Sequence, residues 1–402
     1  MERQCLRKGS EHCEGYCTDA WAQRKLSSLV DFSNGINAPR EQYGKGRKMI
    51  SVMDILANGR IKYSTIKNSV EVDKKTEYNY KVECGDLIFV RSSEVVSEVG
   101  WVKAYTDDEY ALFSGFSIRG KKKNDFDNFF IELSLNSKNR TQIESKAGGS
   151  TRFNVNQSIL SDVVISQPSL SEQAAIGSFF RTLDDLITGH KRKLDGLREL
   201  KRAYLQQMFP QTGKRVPKVR FVGFFGNWER QEFRIIIKRI SKTNNDNILP
   251  RVEFEDIISG SGQLNKNILE KASYKIGIEF DEGDILFGKL RPYLKNWLLA
   301  DFKGVAVGDF WVLRPNENDK YYVYHLIQSA SFQEVANLST GTKMPRSDWD
   351  VVSEAEFGVP ALPEQAALGN FLRILDSHIV KLQSKIDKLI KLKSAYLQKM
   401  LV

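Results

Sequence analysis

Two long stretches of the chain place apolar residues at steps of three and four. One runs from Leu170 to Met208 and the other from Leu362 to Met400. This spacing puts the apolar side chains on one stripe of an α-helix, which at about 1.5 Å per residue is roughly 57 Å long. Because such stripes avoid water, we expect the two helices to pack on each other. The alternative is that each packs on its own globular domain or on another chain.

The two predicted helices repeat one sequence. The segment LSEQAAIG at Leu170 returns as LPEQAALG at Leu362, and AYLQQM at Ala203 returns as AYLQKM at Ala395. Both pairs lie 192 residues apart without a gap, and 21 of the 39 aligned positions are identical. A repeat of this size predicts pseudo-two-fold symmetry, which suits a ligand with two similar faces such as duplex DNA.

Each predicted helix follows a globular region with shared landmarks. The segments CGDLIFVR at Cys84 and EGDILFGK at Glu282 each predict a Gly-Asp turn that leads into a buried strand. A helical stretch follows, at 126–144 and 321–337, and then a Gly-rich loop and a short strand. We predict an α+β fold with a pseudo-two-fold internal repeat, in which two mixed α/β domains (1–169 and 211–361) are separated by two long antiparallel coiled-coil helices (170–210 and 362–402).

Composition adds modest constraints. A chain of 402 residues is long enough for two or three domains. The net charge of +10 favours binding to a polyanion, although a solvated basic surface explains it equally well. The chain has no run of about 18 apolar residues and no apolar leader, so we expect a cytoplasmic protein without a membrane span.

The motifs of common enzymes are absent. We find no phosphate-binding Walker loop, no Gly-x-Ser-x-Gly elbow and no motif of an S-adenosylmethionine-dependent amino-methyltransferase. One loose acid–acid–Lys pattern of a nuclease exists, but its Gly-Asp pair is a common turn: Asp281, Glu282, Asp284 and Lys289. Three of the four cysteines crowd the first 17 residues beside His12 without a second ligand pair, which favours free thiols over zinc. We predict no catalytic residue, no cofactor and no metal site.

Residues that suit DNA contact recur at matching places in both halves. Phosphates are bound by Lys, Arg, hydroxyl groups and the amides of Gly-rich loops, and base edges by projecting polar side chains. The candidates in the first domain are Arg91, Ser92, Gly149, Ser150, Thr151 and Arg152, and those in the second are Lys289, Arg291, Tyr293, Thr342, Lys343 and Arg346. A solvated loop is the alternative for any one of them, but their recurrence favours a role in binding.

The tandem of globular region and long helix resembles the DNA-specificity (S) subunit of type I restriction-modification systems. The specific signal is the pair of Glu-Gln helix starts, at Glu172 and Glu364, with the two Gly-Asp strands and the Gly-Thr-Lys loop at Gly341 in support. The resemblance covers nearly the whole chain from about Asp19. One departure is that the entry segment PKVRFVGF at Pro217 has no counterpart in residues 1–17.

The resemblance implies a non-catalytic subunit. Its two target-recognition domains would each read one half of a bipartite sequence in double-stranded DNA, and its helices would set the spacing between the halves. Two methyltransferase (M) subunits and restriction (R) subunits would be its partners and would supply S-adenosylmethionine and ATP chemistry. The partner-binding candidates on the helices are Glu172, Gln173, Tyr204, Glu364, Gln365 and Tyr396. A coiled-coil scaffold without a nucleic-acid role and a standalone nuclease are the competing classes.

Overall fold

A computed structural model describes residues 21–245, 248–268, 275–338 and 344–401. Its contacts divide the chain into two units. Among the described residues, the first unit comprises 21–190 with 386–401, and the second comprises 191–385. Each long helix therefore contributes residues to both units.

The first unit combines eleven short strands with five short helices and parts of the two long helices. Its strands are β1 Ala22–Lys25, β2 Val30–Asn34, β3 Tyr43–Ile50, β4 Ser69–Val70, β5 Leu87–Val90, β6 Ser92–Ser93, β7 Val102–Ala104, β8 Leu112–Phe113, β9 Ser117–Lys122, β10 Phe153–Asn154 and β11 Val164–Gln167. Its helices are α1 Val52–Leu56, α2 Lys74–Asn79, α3 Asn128–Asn136, α4 Arg140–Glu144, α5 Gln157–Ser161 and the start of α6 Leu170–Gln207. The main sheet is antiparallel in the order β2-β9-β5-β7.

Strand β5 shows why this sheet is buried on both faces. Leu87 and Phe89 point into a core that includes side chains of α3 and α6, whereas Ile88 and Val90 point into a second core beneath β3 and β8. The turn before the strand has Gly85 at a φ of +104°, where other residues are strained. The predicted Gly-Asp turn and buried strand are thus confirmed.

The second unit repeats this plan. Its strands are β12 Glu229–Glu232, β13 Ile237–Ile240, β14 Thr243–Asn244, β15 Arg251–Val252, β16 Ile257–Ile258, β17 Gln263–Leu264, β18 Gly277–Phe280, β19 Ile285–Gly288, β20 Trp297–Leu299, β21 Gly304–Ala306, β22 Phe310–Pro315 and β23 Glu356–Val359. Its helices are α7 Phe233–Ile236, α8 Lys320–Leu326, α9 Ala330–Ala336, α10 Trp349–Glu354 and the start of α11 Leu362–Met400. The order β13-β22-β19-β20 matches β2-β9-β5-β7, and the ladder β12–β23 matches β1–β11.

Helices α6 and α11 run antiparallel and pack on each other within each unit. In the first unit the rings of Phe179 and Tyr396 meet edge to face at 5.1 Å between centroids. One turn further along α6, Asp184 pairs with Lys393 at 2.6 Å. As the residue number rises along α6, from Phe179 to Asp184, the number of the contacting residue on α11 falls, from Tyr396 to Lys393. The two helices are therefore antiparallel, and the predicted mutual packing is confirmed.

The second unit makes the same two contacts with the helices exchanged. Tyr204 meets Phe371 at 5.0 Å between ring centroids, and Lys201 pairs with Asp376 at 2.7 Å. Each of these four residues is related to one in the first unit by the offset of 192 that the sequence shows. The internal repeat is therefore a repeat of side-chain contacts as well as of sequence.

The apolar stripes are only partly buried. Near the start of α6, Ile176, Phe180 and Leu183 belong to the core of the first unit. By contrast, Leu200 and Leu392 remain 43% and 42% exposed. The expectation that neither stripe stays in water is wrong for these positions. None of the described helices combines the length and the apolar character needed to cross a bilayer.

The predicted helical stretches at 126–144 and 321–337 are each broken in two. The first splits into α3 and α4, and the second into α8 and α9. At the breaks, the hydroxyl groups of Ser137 and Ser329 donate to the carbonyls of Leu133 and Leu326. A serine that satisfies the preceding turn in this way competes with continuation of the helix.

Glu132 on α3 makes the stability of the first unit depend on pH. Its Oε2 accepts a hydrogen bond from the Ala104 amide at 2.8 Å, and burial raises the pKa of its carboxyl group to about 7. The unfolded chain would have the ordinary pKa of about 4.3. Because the pKa is higher in the folded state, the stabilisation is complete below the unfolded pKa and is lost as pH rises through about 7.

We therefore expect the wild type to lose about 2 kcal/mol of unfolding free energy relative to Glu132→Gln between about pH 5 and about pH 8. Urea denaturation across this range measures the difference, and other titrating groups cancel in the comparison. Glu71→Gln, at an exposed position, serves as the control. A pH-independent difference between wild type and Glu132→Gln would contradict the assignment.

Candidate nucleic-acid interface

A glutamine fixes the start of each long helix to the domain before it. Gln173 Oε1 accepts from the Asp127 amide at 3.1 Å, and its Nε2 donates to the Pro168 carbonyl at 3.0 Å. Gln365 makes the corresponding bonds to the Asp319 amide at 3.0 Å and the Pro360 carbonyl at 2.9 Å. The glutamine of the Glu-Gln motif is thus the residue that joins helix to domain in both units.

Close packing explains the glycine that ends each of the two motifs, Gly177 and Gly369. A Cβ atom on Gly177 would lie 2.4 Å from Asp127 Oδ1, and one on Gly369 would lie 2.5 Å from Asp319 Oδ1. Both aspartates are N-caps, of α3 and α8, and accept amide hydrogen bonds at 2.8 Å. Only glycine lets each long helix approach the capped end of the neighbouring short helix so closely.

Three of the partner-binding candidates are engaged inside the protein. Gln173, Gln365 and Glu364 are only 4%, 2% and 3% exposed. Glu364 accepts hydrogen bonds from Arg220 at 2.6 and 2.7 Å and from the Trp228 indole at 3.3 Å. This burial gives the three side chains an internal structural role, so a direct partner contact by them stays a prediction.

The other three partner-binding candidates have accessible side chains. Glu172 is exposed in the first turn of α6, where its charge suits the helix dipole. Tyr396 is 36% exposed and Tyr204 is partly buried. With the exposed Leu200 and Leu392, these tyrosines leave a similar aromatic and aliphatic surface on the helix pair of each unit.

The DNA-binding candidates of the first unit come together at one place, which we call the first tip. Strand β6 pairs with β10, so that Ser92 lies opposite Asn154. A further bridge joins Gly148 to Asn154 and folds the exposed loop that carries Gly149, Ser150, Thr151 and Arg152 onto this ladder. Arg91 precedes β6 directly, and its Nη1 donates to the Gly115 carbonyl at 3.2 Å.

An exposed ring at the first tip was not among the sequence candidates. Phe116 is 54% exposed, and the guanidinium of Arg152 lies over its ring at 5.7 Å from the centroid. Arg152 also faces Glu94 at 3.7 Å. The signal that could have found Phe116 is its place in a Gly-Phe turn between two buried strands, where a large apolar residue is unusual.

The second tip is built in the same way from different side chains. Leu290 bridges to Arg346, the Arg291 amide donates to the Pro345 carbonyl at 2.8 Å, and the Ser347 amide donates to the Lys289 carbonyl at 2.8 Å. These bonds bring together the backbones of Lys289, Arg291 and Arg346. Thr342 and Lys343 lie outside the described residues.

One backbone position shows how the two tips differ. In the first unit the Arg91 amide donates to the Phe116 carbonyl, and in the second the Lys289 amide donates to the Asp309 carbonyl. The Asp309 carboxylate pairs with Arg346 at 3.1 Å and with Lys289 at 3.7 Å. A ring and a carboxylate therefore occupy equivalent places in one framework.

Two of the three candidate nuclease carboxylates, those of Asp281 and Asp284, pair with basic side chains of the second unit. Asp284 is 1% exposed and receives two hydrogen bonds from Arg314, each 2.7 Å long. Hydrogen bonds from Lys303 and Arg314 hold the pKa of Asp281 below its ordinary value. Across the described ranges, no group of three or more His, Cys, Asp or Glu residues could hold a metal ion. The cysteines near His12 lie outside those ranges.

The fold and the two tips define a pseudo-symmetric, two-domain protein with one basic and partly apolar tip on each domain. The family model of the type I restriction modification DNA specificity domain matches residues 19–199 and 231–392. The chain belongs to this family.

Relatives and solved structures agree with this assignment. The chain is 23% identical over 258 residues to the type I restriction enzyme EcoDI specificity subunit of Escherichia coli, covering 56% of this chain and 58% of that protein. It is 23% identical over 284 residues to the MjaIX specificity subunit of Methanocaldococcus jannaschii, covering 63% of each. The matches thus span less than two thirds of these relatives.

The fold is similar to that of a crystallised type I restriction-modification S subunit from M. genitalium. The TM-score is 0.61 at 14% sequence identity, over 96% of this chain and 98% of the other. A chain from a structural study of type I R-M complex assembly and conformational transition gives a TM-score of 0.54 at 14% identity, over 95% and 97% of the two chains. At such identities the similarity concerns the fold.

Proposed function

We propose that this chain is the specificity subunit of a type I restriction-modification complex, and that each tip reads one half of a bipartite sequence in duplex DNA. The observation that carries the proposal is a constant framework with variable tips. The bonds of Gln173 and Gln365 recur at an offset of 192, whereas Phe116 and Asp309 differ at equivalent backbone positions. Two domains that recognise different DNA sequences need a shared framework and different side chains at the tips.

The chemistry of the tips supports contact with DNA. Arg152 and Arg346 each have side chains about half exposed, which leaves donors for phosphate oxygens or guanine edges. The amides and hydroxyls of the loop at Gly149 suit phosphate. Phe116 at the first tip offers an apolar surface for a base edge.

The helix pair suits a partner that binds twice. Tyr396 with Leu392 in the first unit and Tyr204 with Leu200 in the second are related by the internal repeat. Two copies of one M subunit would find the same side chains in each unit, with R subunits joining the assembly. Under this proposal the chain contributes no catalytic group, and S-adenosylmethionine and ATP are bound by the partners.

Arg346→Ala is expected to weaken recognition of one half-site about tenfold and to leave the other half-site unchanged. The chain should be co-expressed with its M subunits, and methylated sites should be mapped by single-molecule sequencing. Arg230→Ala, which removes an ion pair on the β12–β23 ladder, is the matched control and should leave the methylated sequence unchanged.

The competing scaffold function gives different results. A scaffold without a nucleic-acid role would leave the methylated sequence unaffected by any substitution at either tip. A standalone nuclease would cleave DNA as a purified chain when a divalent metal is added. Either result would contradict the proposal.

A further inference from the structure

The second tip includes a strained turn. After β19, the chain passes through Arg291, a 3-10 turn at Pro292–Leu294, and Lys295. Arg291 and Lys295 have φ values of 49° and 57°, in the left-handed region that favours glycine. Of the three non-glycine residues with positive φ in the described ranges, two therefore flank this turn. Such strain persists only where the surroundings hold the backbone in place.

Neighbouring segments do hold this turn. The Gly260 amide donates to the Lys295 carbonyl at 2.9 Å, and the Ser259 hydroxyl donates to the Leu294 carbonyl. On the other side, the Arg291 amide donates to the Pro345 carbonyl at 2.8 Å. The turn is thus fixed between the β16–β17 hairpin and the segment that carries Arg346.

The fixed turn exposes apolar side chains between cations. Tyr293 and Leu294 are 54% and 40% exposed, and Met344 on the adjoining segment is 51% exposed. Arg291 and Lys295 are exposed as well, and neither forms an ion pair within the described part of the chain. Water disfavours such apolar side chains, whereas the flanking cations favour a polyanion.

The corresponding turn of the first unit has different chemistry. It follows β6 and contains a 3-10 turn at Val96–Glu98. There the Ser93 hydroxyl donates to the Glu98 carboxylate at 2.5 Å, and no arginine or lysine flanks the turn. The apolar and cationic combination thus belongs to the second tip and is not a requirement of the shared fold.

We propose that the turn from Arg291 to Lys295 reads a thymine in the major groove, with Leu294 packed on the C5-methyl group. That methyl group is the apolar feature of the major-groove edge, and aliphatic side chains contact it. Arg291 and Lys295 anchor the turn to flanking phosphates. The inference rests on the proposed function, and it adds that Leu294 makes the protein require a thymine at one position of the DNA sequence.

The test replaces each thymine of the methylated sequence in turn by deoxyuridine, which lacks only the methyl group. The complex of this chain with its M subunits is assayed for methylation of each DNA, as wild type, as Leu294→Ala and as Val222→Ala. The last variant shortens an exposed apolar side chain that lies outside both tips. Unfolding temperatures of the three proteins should agree.

Wild type and Val222→Ala should lose about fourfold in methylation rate when one particular thymine of one half-site becomes deoxyuridine. Leu294→Ala should be slow on the thymine-containing DNA and insensitive to that replacement. If no thymine position couples to Leu294 in this way, the proposal is overturned even though sequence-specific methylation remains. If the wild-type complex shows no sequence preference, the proposed function itself fails.

Discussion

Replacing Gly369 by alanine is expected to lower the free energy of unfolding by about 2–3 kcal/mol, although alanine is the better helix former. The added Cβ atom would lie 2.5 Å from Asp319 Oδ1 and 2.7 Å from the Tyr322 backbone nitrogen. The backbone atom cannot rotate away, so α11 must separate from α8. Gly177→Ala should act in the same direction in the first unit, where Asp127 is fixed by Arg181 at 2.8 and 3.0 Å.

The matched controls are two other glycines within α6. Nothing lies within 4 Å of a Cβ atom on Gly189 or Gly196. Alanine at either position should therefore stabilise the protein by about 1 kcal/mol through helix propensity. Urea denaturation of the four variants measures the contrast. Equal effects at all four glycines would show that the motif glycines have no packing role.

Removing the arginine that pairs with Glu364 should have the other large effect. Arg220→Ala is expected to cost about 3–5 kcal/mol, because it leaves a carboxylate that is 3% exposed without its cation. The Trp228 indole, at 3.3 Å, is a poor substitute for a charge. Because β12 and the start of α11 meet near this pair, the loss should appear as unfolding of the second unit.

Two comparisons test whether the large stability loss in Arg220→Ala comes from the burial of Glu364 and not from the loss of an ion pair as such. Arg230→Ala breaks a half-exposed pair with Glu356 and should cost less than about 1 kcal/mol. The double variant Arg220→Ala with Glu364→Gln should recover much of the stability lost by Arg220→Ala alone, because the buried charge is gone. Thermal unfolding measures both. No recovery in the double variant would rule out an unpaired charge as the cause.

Much of the framework could be read from the sequence. Apolar spacing placed both long helices within a residue or two, and the gapless offset predicted their shared geometry. The same offset in fact extends upstream to Asp127 and Asp319, which are the partners of the motif glutamines. The two aspartates can be aligned in the sequence, but the residues around them differ between the two halves. Only the hydrogen bonds to Gln173 and Gln365 show that the aspartates have equivalent roles.

Other features depend on neighbours that are remote in sequence. Which face of a helix is covered cannot be read from periodicity alone, so the sequence did not separate buried Ile176 from exposed Leu200. The burial of Glu364 likewise depends on Arg220, which lies 144 residues away. The two tips assemble from turns, and Phe116 and Asp309 become comparable only through their backbone hydrogen bonds.

The most direct test of the account is a methylated-sequence map of a host that carries this chain with the M subunits proposed as its partners. The account predicts a bipartite sequence with two unlike halves. It further predicts that Phe116→Ala with Arg152→Ala changes one half, and that Arg346→Ala changes only the other. A single undivided sequence, or both halves altered by either variant, would contradict the claim that each tip is an independent reader.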